Sequence, residues 1–359
     1  MKMITAEEFL KNYVQKSTPY LESFLKERMR EATKVSPVAS RMVKIFRDFM
    51  GGKNLRGALT YGSYLMFGGK NEEGVLKASN IVNITHAFLL VHDDVMDEDD
   101  LRRGRPTVHK QYEKIFKEKY PENACAEHFG LSMAINVGDL GSYFGNLILA
   151  ETDFDLGIKI KFLKTLSETI ITTAYGQALD LTFEKDQKLT FAKVLKVHHY
   201  KSALYTVNGP LKYGAILAGI DKNTRQFSAL DGYGTPVGIA FQLRDDELGM
   251  FSNRKELGKP VDSDLKEGKL TYLFLRAFER GTKEQVEFLK YAHGNRNITT
   301  KDTEKVRKII VETGSLFSSQ KFSRKLVNKG KMHIEKITRD KHYQKLLAVA
   351  ADYMIERNN

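Results

Sequence analysis

Apolar positions recur along this chain three and four residues apart over long stretches, and alternation with polar residues is sparse. That spacing is helical, because residues at i, i+3 and i+4 share one face of a helix. Thr5 and Glu8 form a capping box, and the segment behind them, EEFLKNYVQKSTPYLESFLKERMREATK, keeps the period. A second helix is predicted to start at Ser36, with Pro37 in its first turn, and to stop at Gly51-Gly52. From Asn71 to about Asp97 the pattern predicts one long helix, apolar on nearly every side between Ile81 and Val91, as a buried central helix would be. Another resumes at Ser132, where the small residues Gly138, Gly141, Ser142 and Gly145 predict close packing. Further helices are predicted over Asp155 to Glu184, around His198 up to a break at Gly209-Pro210, and from Asn223 to Phe251. VEFLKYAH, KVRKIIVETG and HYQKLLAVAADYMIER continue the series. The fold class expected is all-α, a single large helical bundle.

Composition narrows this picture. The 359 residues include only seven prolines and no Ser/Gly-rich or Pro-rich linker, so one domain over 1–359 is expected. A hydrophobic share of 42% and a charged share of 28% suit a globular chain with a sizeable core. The single Cys125 excludes an intramolecular disulfide. The segment MKMITAEEFLKNY lacks the apolar core of a secretion signal, and no uninterrupted apolar run has the length of a bilayer span; a cytoplasmic protein is expected. The net charge of +12 is spread along the chain without an aromatic-interleaved basic cluster, which argues against nucleic acid. Anionic small substrates, with transient contact to an anionic membrane surface, remain.

The densest chemistry lies between His86 and His109, HAFLLVHDDVMDEDDLRRGRPTVH. It sets Asp93, Asp94, Asp97, Glu98, Asp99 and Asp100 against Arg102, Arg103 and Arg105, directly after an apolar run. Asp93 and Asp97 stand four apart, so on a helix they present two carboxylates on one face. Like charges so stacked repel, and hard oxygen pairs of this kind suit a magnesium ion carrying a phosphate-bearing substrate. Gly104 and Pro106 fix a turn that folds the arginines back. Upstream, Lys53 and Arg56 beside Gly51-Gly52 at a predicted helix start suit an anionic group met by side chains and free backbone N–H groups. Gln177 and Asp180 share a helix face, whereas His198 and His199 are adjacent and point apart, a poor metal pair.

Asp93-Asp94-x-x-Asp97, followed by Leu101-Arg102-Arg103-Gly104-x-Pro106-Thr107 and preceded by His86, resembles the first aspartate-rich motif of the trans-isoprenyl diphosphate synthases. Phe241-Gln242-x-x-Asp245-Asp246 resembles the second, with Gly249 where many members have aspartate. Gly52-Lys53-x-x-Arg56 matches the family's Gly-Lys-x-x-Arg-Pro except at Gly57, whose lack of a proline ring is expected to loosen the turn. Lys201-Ser202 stands for the family's Lys-Thr pair, and GKPVDSDLKEGKLTYL places Lys259, Asp264 and Lys269 at family positions, with Asp262 where glycine is frequent. The link from Lys114 to Glu127 exceeds the family's usual one and is expected to be a loop insertion. The match is densest over residues 52–109 and 176–275.

The resemblance implies a helical bundle of the isoprenoid synthase type, with its aspartate-rich helices facing one central cavity. It implies magnesium on Asp93, Asp97 and Asp245, with Asp180, Asp246 and Asp264 in the outer shell. Asp94, Arg102, Lys201, Gln242 and Lys259 would join those acids in ionising an allylic diphosphate. Lys53, Arg56, His86 and Arg103 would clamp isopentenyl diphosphate, and Ser202 and Lys269 would add substrate contacts. Phe88 and Leu89, the fifth and fourth residues before Asp93, would set product length, favouring geranylgeranyl over farnesyl or longer polyprenyl diphosphates. A homodimer is also implied. A terpene cyclase would instead need an Asn/Asp-x-x-Ser/Thr-x-x-x-Glu motif, absent around Asp245, and a catalytically idle partner subunit would tend to lose the first motif, which is intact.

Overall fold

The computed structural model describes residues 5–184, 190–252, 263–269 and 271–357. Its backbone groups into two compact units, Met1–Ile160 with Leu217–Gly219, and Lys161–Ile216 with Ile220–Asn359.

In the first unit, Thr5 caps α1 (Ala6–Val35) through the reciprocal box with Glu8, and Ser36 caps α2 (Pro37–Phe49). α3 (Leu55–Met66) leads to α4 (Glu72–Met96), the apolar helix expected from the pattern, capped by Asn71. A short antiparallel ribbon, β1 (Leu101–Arg102) with β2 (Arg105–Pro106), follows. α5 (Val108–Lys119) and α6 (Ala126–Glu151) complete the unit. The expected loop insertion is thus mostly helix: residues 114–119 prolong α5, and α6 opens at Ala126, before the predicted Ser132. α4 packs on α6, α3 and α1, burying Ile81, Val82, Ile84 and Val91. Close approach explains the small residues of α6. A Cβ on Gly138 would lie 2.1 Å from the His92 ring, and one on Gly141 2.4 Å from the Phe46 ring. Among the described residues α4 alone has the length and apolarity to cross a membrane, yet 72% of its most apolar window is buried inside the protein, as a core helix requires.

In the second unit, α7 (Leu156–Glu184) enters from the first, and α8 (Phe191–Val197) runs into a π-helix over His198–Asn208. α9 (Gly209–Leu217) continues from it without the predicted break. Pro210 falls in the first turn of α9, where its missing N–H is tolerated, so it marks the change of helical pitch instead. α10 (Arg225–Phe251) buries Leu230, Tyr233, Val237, Ala240 and Leu243 and packs against the π-helix. The remainder comprises α11 (Ser263–Glu267), α12 (Tyr272–Arg280), α13 (Lys283–Ala292), α14 (Thr300–Glu312), α15 (Ser315–Lys331), α16 (Ile334–Ile337) and α17 (Lys341–Glu356). Leu273, Phe274, Leu289, Val306 and Ile310 form a core among α12, α13 and α14. The architecture is all-α, as expected.

Candidate active site

The first unit builds two poles around the end of α4. α4 stops at Met96, and Asp97 caps it with its N–H donated to the Asp93 carbonyl at 2.8 Å, which keeps the two carboxylates one turn apart. The Asp93 side chain is 23% exposed, and Asp97 is buried at 8%. Asp94 faces the other way and is fully enclosed. Arg103 and Gly104 both adopt positive φ, 52° and 74°, which turns the chain back on itself between β1 and β2. Arg102 thereby reaches the acids: Nε and Nη2 each lie 2.5 Å from Asp94 Oδ1, and Nη2 lies 3.5 Å from Asp99 and 3.7 Å from Asp93. Burial works against the charge on Arg102, but Asp94, Asp93 and Asp99 outweigh it and hold the guanidinium above its ordinary pKa. Burial pushes Asp94 up to about 6 despite that partner. Asp94 is therefore the enclosed anchor of Arg102 rather than an open carboxylate.

Arg103, one residue on, points to the second pole. Its Nη1 donates to the Phe49 carbonyl at 3.1 Å, and its guanidinium crosses Gly52, 3.1 Å from where a Cβ would stand. Arg56 Nη1 lies 3.2 Å from His86 Nε2. Burial first, then the charges of Arg56, Arg103 and Arg102, drive His86 well below its usual pKa, so its ring is neutral and Nε2 accepts from Arg56. Lys53 is exposed on the adjoining turn, with Gly51, Gly52 and Asn54 all at positive φ. The turn is not loosened at Gly57. That residue is buried, its N–H donates to Asn83 Oδ1 at 3.2 Å, and the Tyr13 hydroxyl stands 2.2 Å from any Cβ there. Phe88 and Leu89 are partly buried on α4; the Phe88 Cβ faces Gly141 of α6, and its ring lies edge-on to His92 at 6.1 Å.

In the second unit, Gly176 lets α7 touch the π-helix backbone to backbone, since a Cβ there would lie 2.2 Å from the Lys201 nitrogen. Lys201 Nζ consequently meets Asp180 at 2.6 Å, beside the buried Gln177. Ser202 Oγ donates to Gln242 Oε1 at 2.7 Å, Gln242 Nε2 donates to Asp246 Oδ1 at 2.9 Å, and His198 Nε2 lies 3.1 Å from Asp246 Oδ2. Burial raises the pKa of Asp246, with His198 opposing the rise. Asp246 is thus an inward brace, whereas its neighbour Asp245 is 37% exposed. Gly249 leaves room for Asp264, whose Oδ2 would stand 2.7 Å from a Cβ at that position. Lys269 Nζ lies 2.8 Å from Glu267 and 3.8 Å from Asp264. Lys259 and Asp262 lie outside the described residues.

Sequence reasoning missed Arg357. At the end of α17 it stacks on Phe241 at 4.0 Å and forms an ion pair with Asp245, while its own carbonyl accepts from Arg244 at 3.0 and 3.1 Å. No motif surrounds it, and a contact spanning 112 positions leaves no local signal. His198 pairs with Asp246, 48 positions away, rather than with a metal.

Among the described residues no three acidic, histidine or cysteine side chains converge as a complete metal shell. The donor chemistry in each unit fits a hard dication: in the first, Asp93 and Asp97 offer oxygens from one helical turn, and in the second, Asp245 presents a partly exposed carboxylate.

The sequence model of the polyprenyl synthetase family matches residues 39–311. A geranylgeranyl diphosphate synthase of Methanosarcina mazei is 34% identical over 308 residues, 86% of either chain. A geranylfarnesyl diphosphate synthase of Aeropyrum pernix is 29% identical over 313 residues, 86% of this chain and 91% of that one. The crystal structure of a geranylgeranyl pyrophosphate synthase from Corynebacterium glutamicum, complexed with isoprenyl diphosphate and magnesium, superimposes with a TM-score of 0.90 at 27% identity, covering 99% of this chain and all of the other.

Proposed function

The chain belongs to the polyprenyl synthetase family and is a prenyltransferase, and from that premise we propose that it condenses isopentenyl diphosphate with dimethylallyl, geranyl and farnesyl diphosphates to give geranylgeranyl diphosphate. The observation that carries this reading is the two-pole arrangement at the end of α4: acids with Arg102 on one side, and Arg56, His86 and Arg103 on the other. Two diphosphates of different fate need two such poles.

Asp93, Asp97 and Asp245 would hold magnesium, with Asp180, Asp246 and Asp264 behind them, and the metal supplies neutralisation of the departing diphosphate. Arg102, Lys201 and Lys259 add fixed positive charge where negative charge develops as the allylic carbon–oxygen bond breaks and its electron pair leaves with diphosphate. Gln242, Ser202 and Lys269 add contacts to the substrate. Lys53, Arg56, His86 and Arg103 hold isopentenyl diphosphate so that its alkene attacks the allylic cation, forming the new carbon–carbon bond. A proton then leaves the adduct, and the released diphosphate takes it. The neutral imidazole of His86 fits a hydrogen-bonding role rather than a charged one.

Geranylgeranyl diphosphate is favoured because Phe88 is aromatic while the next position is Leu89, so a single ring limits the tail. The two units act as one synthase domain in a cytoplasmic homodimer. The exposed apolar residues Ile135, Tyr143 and Leu147 on α6, and Leu156, Ile160, Ile171 and Tyr175 on α7, support self-association. Product release to an anionic membrane surface suits the net charge of +12. Incubating the purified chain with radiolabelled isopentenyl diphosphate, magnesium and each allylic diphosphate in turn tests the activity. Label in a twenty-carbon product is expected, and no incorporation with any primer would make the chain an idle partner instead.

A further inference from the structure

Helix α3 begins without a local cap. Its N-cap, Asn54, sits in the left-handed region at φ 48° and accepts no hydrogen bond with its side chain. The first N–H groups of a helix lack partners inside it, and the donor of the third residue is the one that an N-cap side chain ordinarily takes. Here that donor is Gly57 N–H, and it goes to Asn83 of α4 at 3.2 Å.

Asn83 is in turn saturated. Its Nδ2 donates to the Tyr13 hydroxyl at 3.0 Å and to Asn80 Oδ1 at 3.2 Å. Tyr13 donates to Ser79 Oγ at 2.9 Å, and Ser79 and Asn80 both finish on the Leu76 carbonyl at 3.0 Å. Asn80 Nδ2 also meets the Ser17 carbonyl at 3.0 Å. Every donor in this chain points the same way, from Gly57 towards carbonyls of α1 and α4. Only one amide orientation of Asn83 satisfies it, and Tyr13, Ser79, Asn80 and Asn83 are all buried. The residue before Gly57 is Arg56, and the residue three beyond Asn83 on α4 is His86, the pair in contact at 3.2 Å. Asn83 and His86 thus grip consecutive residues of α3 from one helix face.

We infer that Asn83 is a remote cap of α3 and, with Tyr13 behind it, a positioning residue for isopentenyl diphosphate, setting Arg56 against His86 before the diphosphate arrives. The inference rests on the proposed role of Arg56. It also explains why residue 57 is glycine: a side chain would strike Tyr13 and Asn83, and a proline would have no N–H to give.

The test measures both Michaelis constants for Arg56→Ala, Asn83→Leu and Tyr13→Phe. Arg56→Ala calibrates the site, with the constant for isopentenyl diphosphate expected to rise at least tenfold more than that for the allylic substrate. Asn83→Leu should raise the isopentenyl diphosphate constant about tenfold, the scale of one lost hydrogen bond. Its allylic constant and turnover should stay within about twofold. Tyr13→Phe, which keeps the Asn83 contact to Asn80, should move the same constant about threefold, and it decides the matter if Asn83→Leu does not fold. A lowered melting temperature with both constants unchanged or equally raised in the Asn83 and Tyr13 variants would overturn the positioning role while Arg56 retains its own. No selective effect from Arg56→Ala would overturn the diphosphate site itself, and the inference with it.

Discussion

Neighbouring carboxylates at the end of α4 leave the helix in different directions, and the roles proposed for them differ accordingly. Asp93 and Asp97 share one turn, and Asp94 lies between them in sequence but inside the protein against Arg102. Asp93→Ala or Asp97→Ala is expected to abolish turnover while helical circular dichroism and melting temperature stay near wild type; activity surviving without metal dependence would refute the metal role. Asp94→Ala should instead cost stability, about 3 to 5 kcal/mol, because it leaves Arg102 partly buried without its closest partner. Equilibrium denaturation reads this directly. Asp100, which is exposed and pairs with Lys110 at 3.3 Å, should tolerate alanine with little loss of either property. Lys53→Ala should raise the Michaelis constant for isopentenyl diphosphate roughly ten- to a hundredfold more than for the allylic substrate, since a charge-assisted contact contributes about 1.5 to 3 kcal/mol. Equal changes for both substrates would remove Lys53 from that pole.

Helices α4 and α10 each carry an aspartate-rich motif towards one end, and the roles proposed for the residues near it can be tested one by one. Phe88 lies five residues before Asp93, roughly 7.5 Å down the axis and about 140° around it. Rotation alone therefore leaves its duty open. In the structure its Cβ meets α6 at Gly141, and its ring stays partly exposed beside His92. Phe88→Ala is expected to lengthen the prenyl product, read by chromatography of the dephosphorylated alcohols. A folded, active variant with unchanged chain length would make Phe88 an ordinary packing residue. On α10, Asp245 is bound to Arg357, and one carboxylate cannot serve a guanidinium and a dication at full strength together. Arg357→Met should lower the magnesium concentration needed for half-maximal turnover. A higher requirement would show that Arg357 instead holds Asp245 in its productive orientation.

Across the whole molecule, apolar side chains remain in water along α6 and α7. Tyr143 is 68% exposed and Tyr175 63%. If the proposed homodimer forms through α6, Tyr143→Asp should shift sedimentation from dimer to monomer at micromolar concentration; a wild-type chain that sediments as a monomer, or an unaltered dimer in the variant, would refute that contact. By itself the sequence determined the all-α class, the long helices and the starts at Thr5 and Ser36, because capping and the 3.6-residue period act within a few positions. It also determined the two acidic motifs, whose residues are contiguous, and their spacing already assigns Asp93 and Asp97 to one face. Tertiary structure alone decided that residues 114–119 prolong a helix, that Pro210 starts one, and that Gly57 is pinned rather than loose. It alone decided that Asp94 and Asp246 face inward, and that Arg357 returns to Asp245. The physical reason is common to these cases: a turn or a charge takes its role from partners that share its space but not its neighbourhood in the chain, and no local period records which distant donor will satisfy a buried acceptor.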